Sequence, residues 1–146
     1  MTTVADLLKQ KSPDVYTISP DQTVFHAIQM MDEKGVGALA VVAREKLAGM
    51  ISERDYARKV ILNGRSSKET QIKEIMTTQV YYVSPEQDTE DCMIIMTGHH
   101  IRHLPVLEET KLVGMISLGD VVKDIIKEQQ DRISSLEKYL SWESSW

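Results

Sequence analysis

The amino-acid sequence predicts an α/β (α+β) fold in which two tandem β-α-β-β-α repeats pack with pseudo-twofold symmetry and an extended C-terminal helix follows. Three observations predict it. Residues 16–55 return at residues 81–120 with a constant offset of 65 and no gap, and 14 of 40 aligned positions are identical. Within each copy the apolar periodicity changes in the order strand, helix, strand, strand, helix. The period is too long for a solenoid unit, and each copy is near the size at which a lone core is marginal, so packing the halves together buries surface that neither buries alone. Such pairing creates two clefts related by a pseudo-twofold axis. The implied organisation is a first repeat over 1–66, a second over 67–126 and a helical tail over 127–146.

The match reaches upstream of the repeat, where Val4-Ala5-Asp6-Leu7-Leu8 reads like Ile72-Lys73-Glu74-Ile75-Met76 at an offset of 68, with the three-residue difference absorbed near Lys11 to Pro13. Val15 to Ile18 is a short apolar run ended by Ser19-Pro20, a strand followed by a turn. Val24, Ala27, Ile28 and Met31 then carry helical spacing until Gly35, a C-terminal cap. Ala38 to Ala43 reads as a buried strand, a turn at Arg44 to Lys46 leads to a second strand over Leu47 to Ile51, and Ser52 is the N-cap of a helix reaching about Leu62 before Asn63-Gly64. The second copy predicts strand Tyr81 to Val83, helix Thr89 to Thr97, strands Leu104 to Leu107 and Lys111 to Ile116, and a helix from Ser117. Arg65 to Gln71 is the polar connector. Met30, Met31, Met93 and Met96 fall on apolar helix faces and read as core, while His26 reads as structural or surface-exposed.

With 146 residues, 42% apolar and 27% charged, the chain suits one compact unit with a real core. Its net charge of −5 argues against a general nucleic-acid or anionic-membrane binder, because no basic tract is present to neutralise phosphates. The single Cys92 excludes an internal disulfide framework, fits a reducing compartment and lies in an apolar helical pattern, as a small core residue does. The amino terminus shows no basic region followed by an apolar run, and no apolar stretch approaches the length of a membrane span. A cytoplasmic protein is expected.

Gly49-Met50-Ile51-Ser52 returns as Gly114-Met115-Ile116-Ser117, and in each copy an aspartate follows three residues after the serine, at Asp55 and Asp120. Together with the Ser-Pro openings and His103-Leu104-Pro105-Val106, these twin Gly-x-Ile-Ser-x-x-Asp motifs resemble the cystathionine β-synthase (CBS) domain. Two in tandem resemble a CBS pair, or Bateman module, over roughly residues 1–126. The resemblance implies an adenosine-containing ligand, AMP, ADP, ATP, NAD or S-adenosylmethionine, and a regulatory role toward an enzyme or transporter.

The motif has a chemistry of its own. A serine at the N-cap and an aspartate three residues on share one side of the first helical turn, beside unpaired backbone N–H groups that favour anions. A phosphate can take the amides and hydroxyl, and the carboxylate is placed to accept from a ribose diol. Strand ends near Tyr16 to Ile18 and Tyr81 to Val83 can supply an apolar slot for adenine. The competing reading is that Ser-x-x-Asp is a capping box that only starts a helix.

The copies differ in charge. Arg54 and Arg58 share a helical face where the second copy has Gly119 and Lys123, and Arg102-His103 stands where the first has Gly37-Ala38. In the resembled family, basic residues at the latter position reach phosphates. The clefts are therefore expected to be non-equivalent, with Ser52, Asp55, Arg54 and Arg58 on one nucleotide and Ser117, Asp120, Arg102 and His103 on a second. Adenine slots involve Tyr16, Ile18 and Val83. The alternative makes Arg54 and Arg58 a solvated face paired with Glu53 or Asp55.

His99-His100-x-x-His103 lacks a nearby cysteine and places two adjacent histidines at a helix end, where their side chains diverge and the helix dipole alone accounts for them, so no metal is expected. No nucleophile elbow, phosphate loop, metalloprotease helix or Cys/His pair is present, and nothing pairs Asp55 with Asp120 at one bond. A binding module outranks an enzyme acting on nucleotides.

From Ser117 a helix could run past Ser141. Ile126, Ile133 and Leu140 lie seven apart with Gln129 and Leu136 between them, a seam for a dimer, a partner, or the module's own surface. Trp142 and Trp146 suit docking better than a solvated tail. The expectation is an energy or redox sensor, a homodimer binding an adenosine-containing molecule and signalling to an unknown regulated protein. Its rival is a structural dimerisation protein with empty clefts.

Overall fold

The computed structural model describes residues 2–11 and 14–144, with side chains described only as far as Ser141. The expected side-chain docking of Trp142 and Trp146, and most of the length difference at Lys11 to Pro13, lie outside the described residues. Chain order is helix α1 (Val4–Gln10), strand β1 (Thr17–Ile18), helix α2 (Val24–Lys34), strands β2 (Ala38–Ala43) and β3 (Lys46–Ser52), helix α3 (Glu53–Asp55), a π-helix (Tyr56–Ile61), helices α4 (Ile72–Ile75) and α5 (Thr89–Gly98), strands β4 (His103–Glu108) and β5 (Lys111–Ser117), and helix α6 (Leu118–Ser144). The first copy builds a three-stranded sheet in the order β1-β2-β3 and the second a two-stranded sheet β4-β5.

The hairpins β2-β3 and β4-β5 are antiparallel with matching registers, Val41 opposite Gly49 and Val106 opposite Gly114, and each carries a register shift immediately after. A bulge held at the same place in both copies re-aims the strands that feed the serine-aspartate motifs. Gly35 ends α2 in the left-handed conformation at φ 66°, as its C-cap reading requires. His26 is exposed on α2, Met31, Cys92 and Met96 are buried, and Met30 and Met93 pack partly buried beside them.

Two expectations are corrected. Tyr81 to Val83 forms no strand; only Val83 pairs, in a single parallel bridge to Val106. Val83 donates to Pro105 O at 3.1 Å and accepts from Leu107 N at 2.9 Å. The next rung would need an N–H on Pro105, which proline lacks, so the ladder stops there. The helix after Ser52 reaches Ile61, but as one short α turn and then a π-helix in which Leu62 N donates to Ala57 O at 3.1 Å. The i→i+5 bond leaves the wider winding that often marks functional sites.

The leading helix of each copy belongs to the core of the other. Ile72 and Ile75 of α4 pack with Ile18, Met31, Leu39 and Ile51, whereas Val4 and Leu7 of α1 pack with Val83, Met96, Leu104 and Ile116. The main-chain bonds repeat the exchange. Val4 N donates to Gln87 O and Ile72 N to Gln22 O, Ala5 N to Pro85 O and Lys73 N to Pro20 O, Thr89 N to Thr2 O and Val24 N to Thr70 O, all at 2.8–3.0 Å. The crossing makes one interlocked unit. Among the described residues no helix is long and apolar enough to cross a membrane.

Candidate functional site

The two Ser-x-x-Asp motifs end β3 and β5 and start the helices that follow. Each is a realised capping box: Asp55 N donates to Ser52 Oγ at 3.2 Å while Asp55 Oδ2 accepts from Ser52 N at 3.0 Å. In the second copy Asp120 N donates to Ser117 Oγ at 3.1 Å and Oδ2 accepts from Ser117 N at 2.8 Å. The hydroxyls and carboxylates thus start their helices, as the competing reading holds. They also line clefts.

The first cleft has a volume of about 1000 Å³. It brings Ser52, Arg54, Asp55 and Arg58 of the first copy together with Arg102 and His103 of the second. The two copies are tied across it, since Arg54 Nη1 donates to His100 O at 2.9 Å. Among the described residues Arg54 forms no ion pair with Glu53 or Asp55. Asp55 Oδ1 instead meets Lys59 Nζ at 3.1 Å and Thr77 Oγ1 at 3.5 Å. Tyr81 and His99 stack on one wall with ring centroids 3.8 Å apart and planes inclined 16°. The combination offers an aromatic surface, three guanidinium groups and the two carboxylates of Glu53 and Asp55 around one space, donors and acceptors of the kinds that a phosphorylated nucleoside would engage.

The second cleft, about 600 Å³, is lined by Tyr16, His103, Ser117 and Asp120, and by Lys11 from the segment after α1. Lys11 Nζ donates to Asp120 Oδ2 at 2.7 Å and to Met115 O at 2.8 Å. Burial would raise the Asp120 carboxyl, but the bonds from Lys11 and Ser117 outweigh it and hold it below the usual carboxylate range. His103 and Ala38, equivalent by the offset of 65, line both clefts. Burial, assisted by Lys11 and Arg102 and opposed by Asp120, pushes the His103 imidazole below its ordinary value.

Arg102 lines the first cleft, beside Asp55, and not the second to which sequence reasoning assigned it. Ile18 and Val83 are buried in the two cores, and neither side chain lines a cleft. Lys11, Lys59, Thr77 and the stacked face of His99 were missed. Lys59, four residues after Asp55, could have been found by its spacing. Lys11 had only its position in the length difference. Among the described residues no group of three or more His, Cys, Asp or Glu is arranged to hold a metal ion.

Two interlocked repeats, each with a hairpin running into a Ser-x-x-Asp helix start that lines a cleft, define a tandem-domain module. The CBS domain family model matches residues 4–62 and 72–127, and the chain belongs to that family. It is 38% identical over 95% of its length to the CBS domain-containing protein CBSX3, mitochondrial, of Arabidopsis thaliana, covering 72% of that protein. To the CBS domain-containing protein YhcV of Bacillus subtilis it is 36% identical over 83% of its length, covering 84% of that protein. Among solved structures, a protein with CBS domains from Burkholderia ambifaria shares 53% identity and superposes with a TM-score of 0.85, over 88% of this chain and 96% of that one.

Proposed function

We propose that the protein is a regulatory sensor that binds an adenine nucleotide, AMP, ADP, ATP or NAD, or alternatively S-adenosylmethionine, and passes its ligand state to a partner protein. The observation that carries this reading is the first cleft, where Arg54, Arg58 and Arg102 from both copies converge beside Ser52 and Asp55. A phosphate drawn to Arg54 competes with its bond to His100 O, so binding would alter the tie between the copies. A partner preferring one arrangement reads that change. Catalysis has no part in the reading. A reducing cytoplasmic setting accords with Cys92, buried and with its thiol pushed up to about 11 by burial and by Asp91.

Calorimetry with AMP, ATP, NAD and S-adenosylmethionine tests the proposal. Heats that disappear in Arg58→Ala and Asp55→Ala support it, and silence for all four ligands overturns it. A purely structural module is the second reading, favoured by one observation: both motif carboxylates already accept bonds from protein groups.

A further inference from the structure

The last half of α6 stands away from the module. Every described side chain from Gln129 to Ser141 is exposed, although the helix continues unbroken to Ser144. An isolated helical segment of this length is marginal in water, and its stability ordinarily comes from packing an apolar face. Such a face is present and uncovered: Val122, Ile126, Ile133, Leu136 and Leu140 are each 39% exposed or more. With Gln129 they recur at intervals of four and three, the period of a two-helix seam.

The chemistry of the flanks identifies the occupant. With Ile126, Ile133 and Leu140 at the first core position of the heptad and Val122, Gln129 and Leu136 at the other, Arg132 precedes a core residue and Glu137 follows one. In a parallel pair these two positions, five residues apart, face each other across the seam, so Arg132 of each helix meets Glu137 of the other. Among the described residues neither makes an ion pair within the chain. A parallel pair also sets Gln129 against its own copy, where amide can bond amide, while an antiparallel pair would bury it against an aliphatic layer. The one heptad with both, Ile133 at the first core position and Leu136 at the other, has the pairing that favours two parallel strands.

We infer that this face is an interface for a second copy of the chain, and that residues 122–140 form a parallel two-helix coiled coil. The two modules then lie side by side, with their clefts toward the same end of the assembly.

The test uses the full chain. Leu136→Cys is oxidised gently and compared with Lys138→Cys on the opposite face, and dissociation is followed by sedimentation for wild type, Arg132→Glu, Glu137→Arg and the double variant. The expected results are a disulfide-linked dimer for Leu136→Cys alone, association weakened roughly 5-fold or more for each charge reversal, about 1 kcal/mol or more, and recovery in the double variant. A monomeric wild type overturns the inference. So does a dimer whose stability is unchanged by Ile133→Asp while circular dichroism keeps the module folded, because the copies then meet through the modules themselves.

Discussion

Lys11 Nζ lies 2.7 Å from Asp120 Oδ2, so the second cleft holds a cation supplied by the chain itself. The first cleft has no counterpart from that segment. There the main chain of Thr77 pairs with Met50, N to O at 2.9 Å in both directions, where the second copy has the Lys11 ammonium on Met115 O.

Removing that cation while keeping its aliphatic stem should open the second cleft. Lys11→Met is expected to strengthen binding of adenosine to that cleft by several-fold, because the Asp120 carboxylate becomes available to a diol. The ion pair is partly exposed, with side chains 33% and 21% accessible, so its loss should cost no more than roughly 1 kcal/mol of stability. Titration calorimetry and a thermal melt read both effects. Unchanged affinity would mean that Lys11 does not guard the site.

Gly49 and Gly114 are equivalent in the repeat but not in surroundings. A Cβ on Gly49 would stand 2.6 Å from the carbonyl oxygen of Thr77, which is backbone, whereas on Gly114 it would meet Cδ2 of Leu8 at 2.5 Å, the end of a side chain that can turn. Overpacking costs about 1–3 kcal/mol. Gly49→Ala should fall at the upper end and Gly114→Ala at the lower, measured by urea denaturation. Equal costs would show that the Thr77 main chain yields as readily as Leu8.

The exchange of leading helices predicts a remote effect. Leu7, 3% exposed, lies in the core of Val83, Met96 and Ile116. Leu7→Ala should cost about 2–5 kcal/mol. Hydrogen exchange should accelerate first in β4 and β5, and only later in β2 and β3. Faster exchange beginning in the first copy would contradict the crossed packing.

These elements also show what was legible in the sequence. Identity at a constant offset reveals duplicated architecture, and strong periodicity placed β2, β3, α2 and α5 to within a residue or two. An offset does not say which copy a leading helix packs against, so the exchange of α1 and α4 was invisible. Pro105 carried a readable warning about the ladder to Tyr81, because a missing N–H is a local property. The π-winding after Asp55 had no such mark. Ser52, Asp55, Arg54 and Arg58, grouped in the sequence, line one cleft because they share one turn and its extension. Arg102, grouped in the sequence with Ser117 and Asp120, lines the first cleft instead, because its position depends on how the halves dock.

His103 gives the site a pH dependence whose sign can be worked out. Burial, with Lys11 and Arg102 nearby and Asp120 opposing them, lowers its folded value below the ordinary 6.5. The neutral ring's contribution to stability is therefore full above the unfolded value and is lost as pH falls through the folded one. A phosphate bound in the first cleft would stabilise the imidazolium and raise the value again, so nucleotide binding takes up a proton. Affinity for AMP should then rise as pH falls from ~7.5 to ~6, by at most about 10-fold per unit for one proton. His103→Gln should flatten that slope, leaving the capping boxes at Ser52 and Ser117 in place. Calorimetry in buffers of different ionisation enthalpy counts the proton directly. A count of zero in the wild-type protein would remove His103 from contact with the ligand phosphate and leave Arg54, Arg58 and Arg102 to hold it.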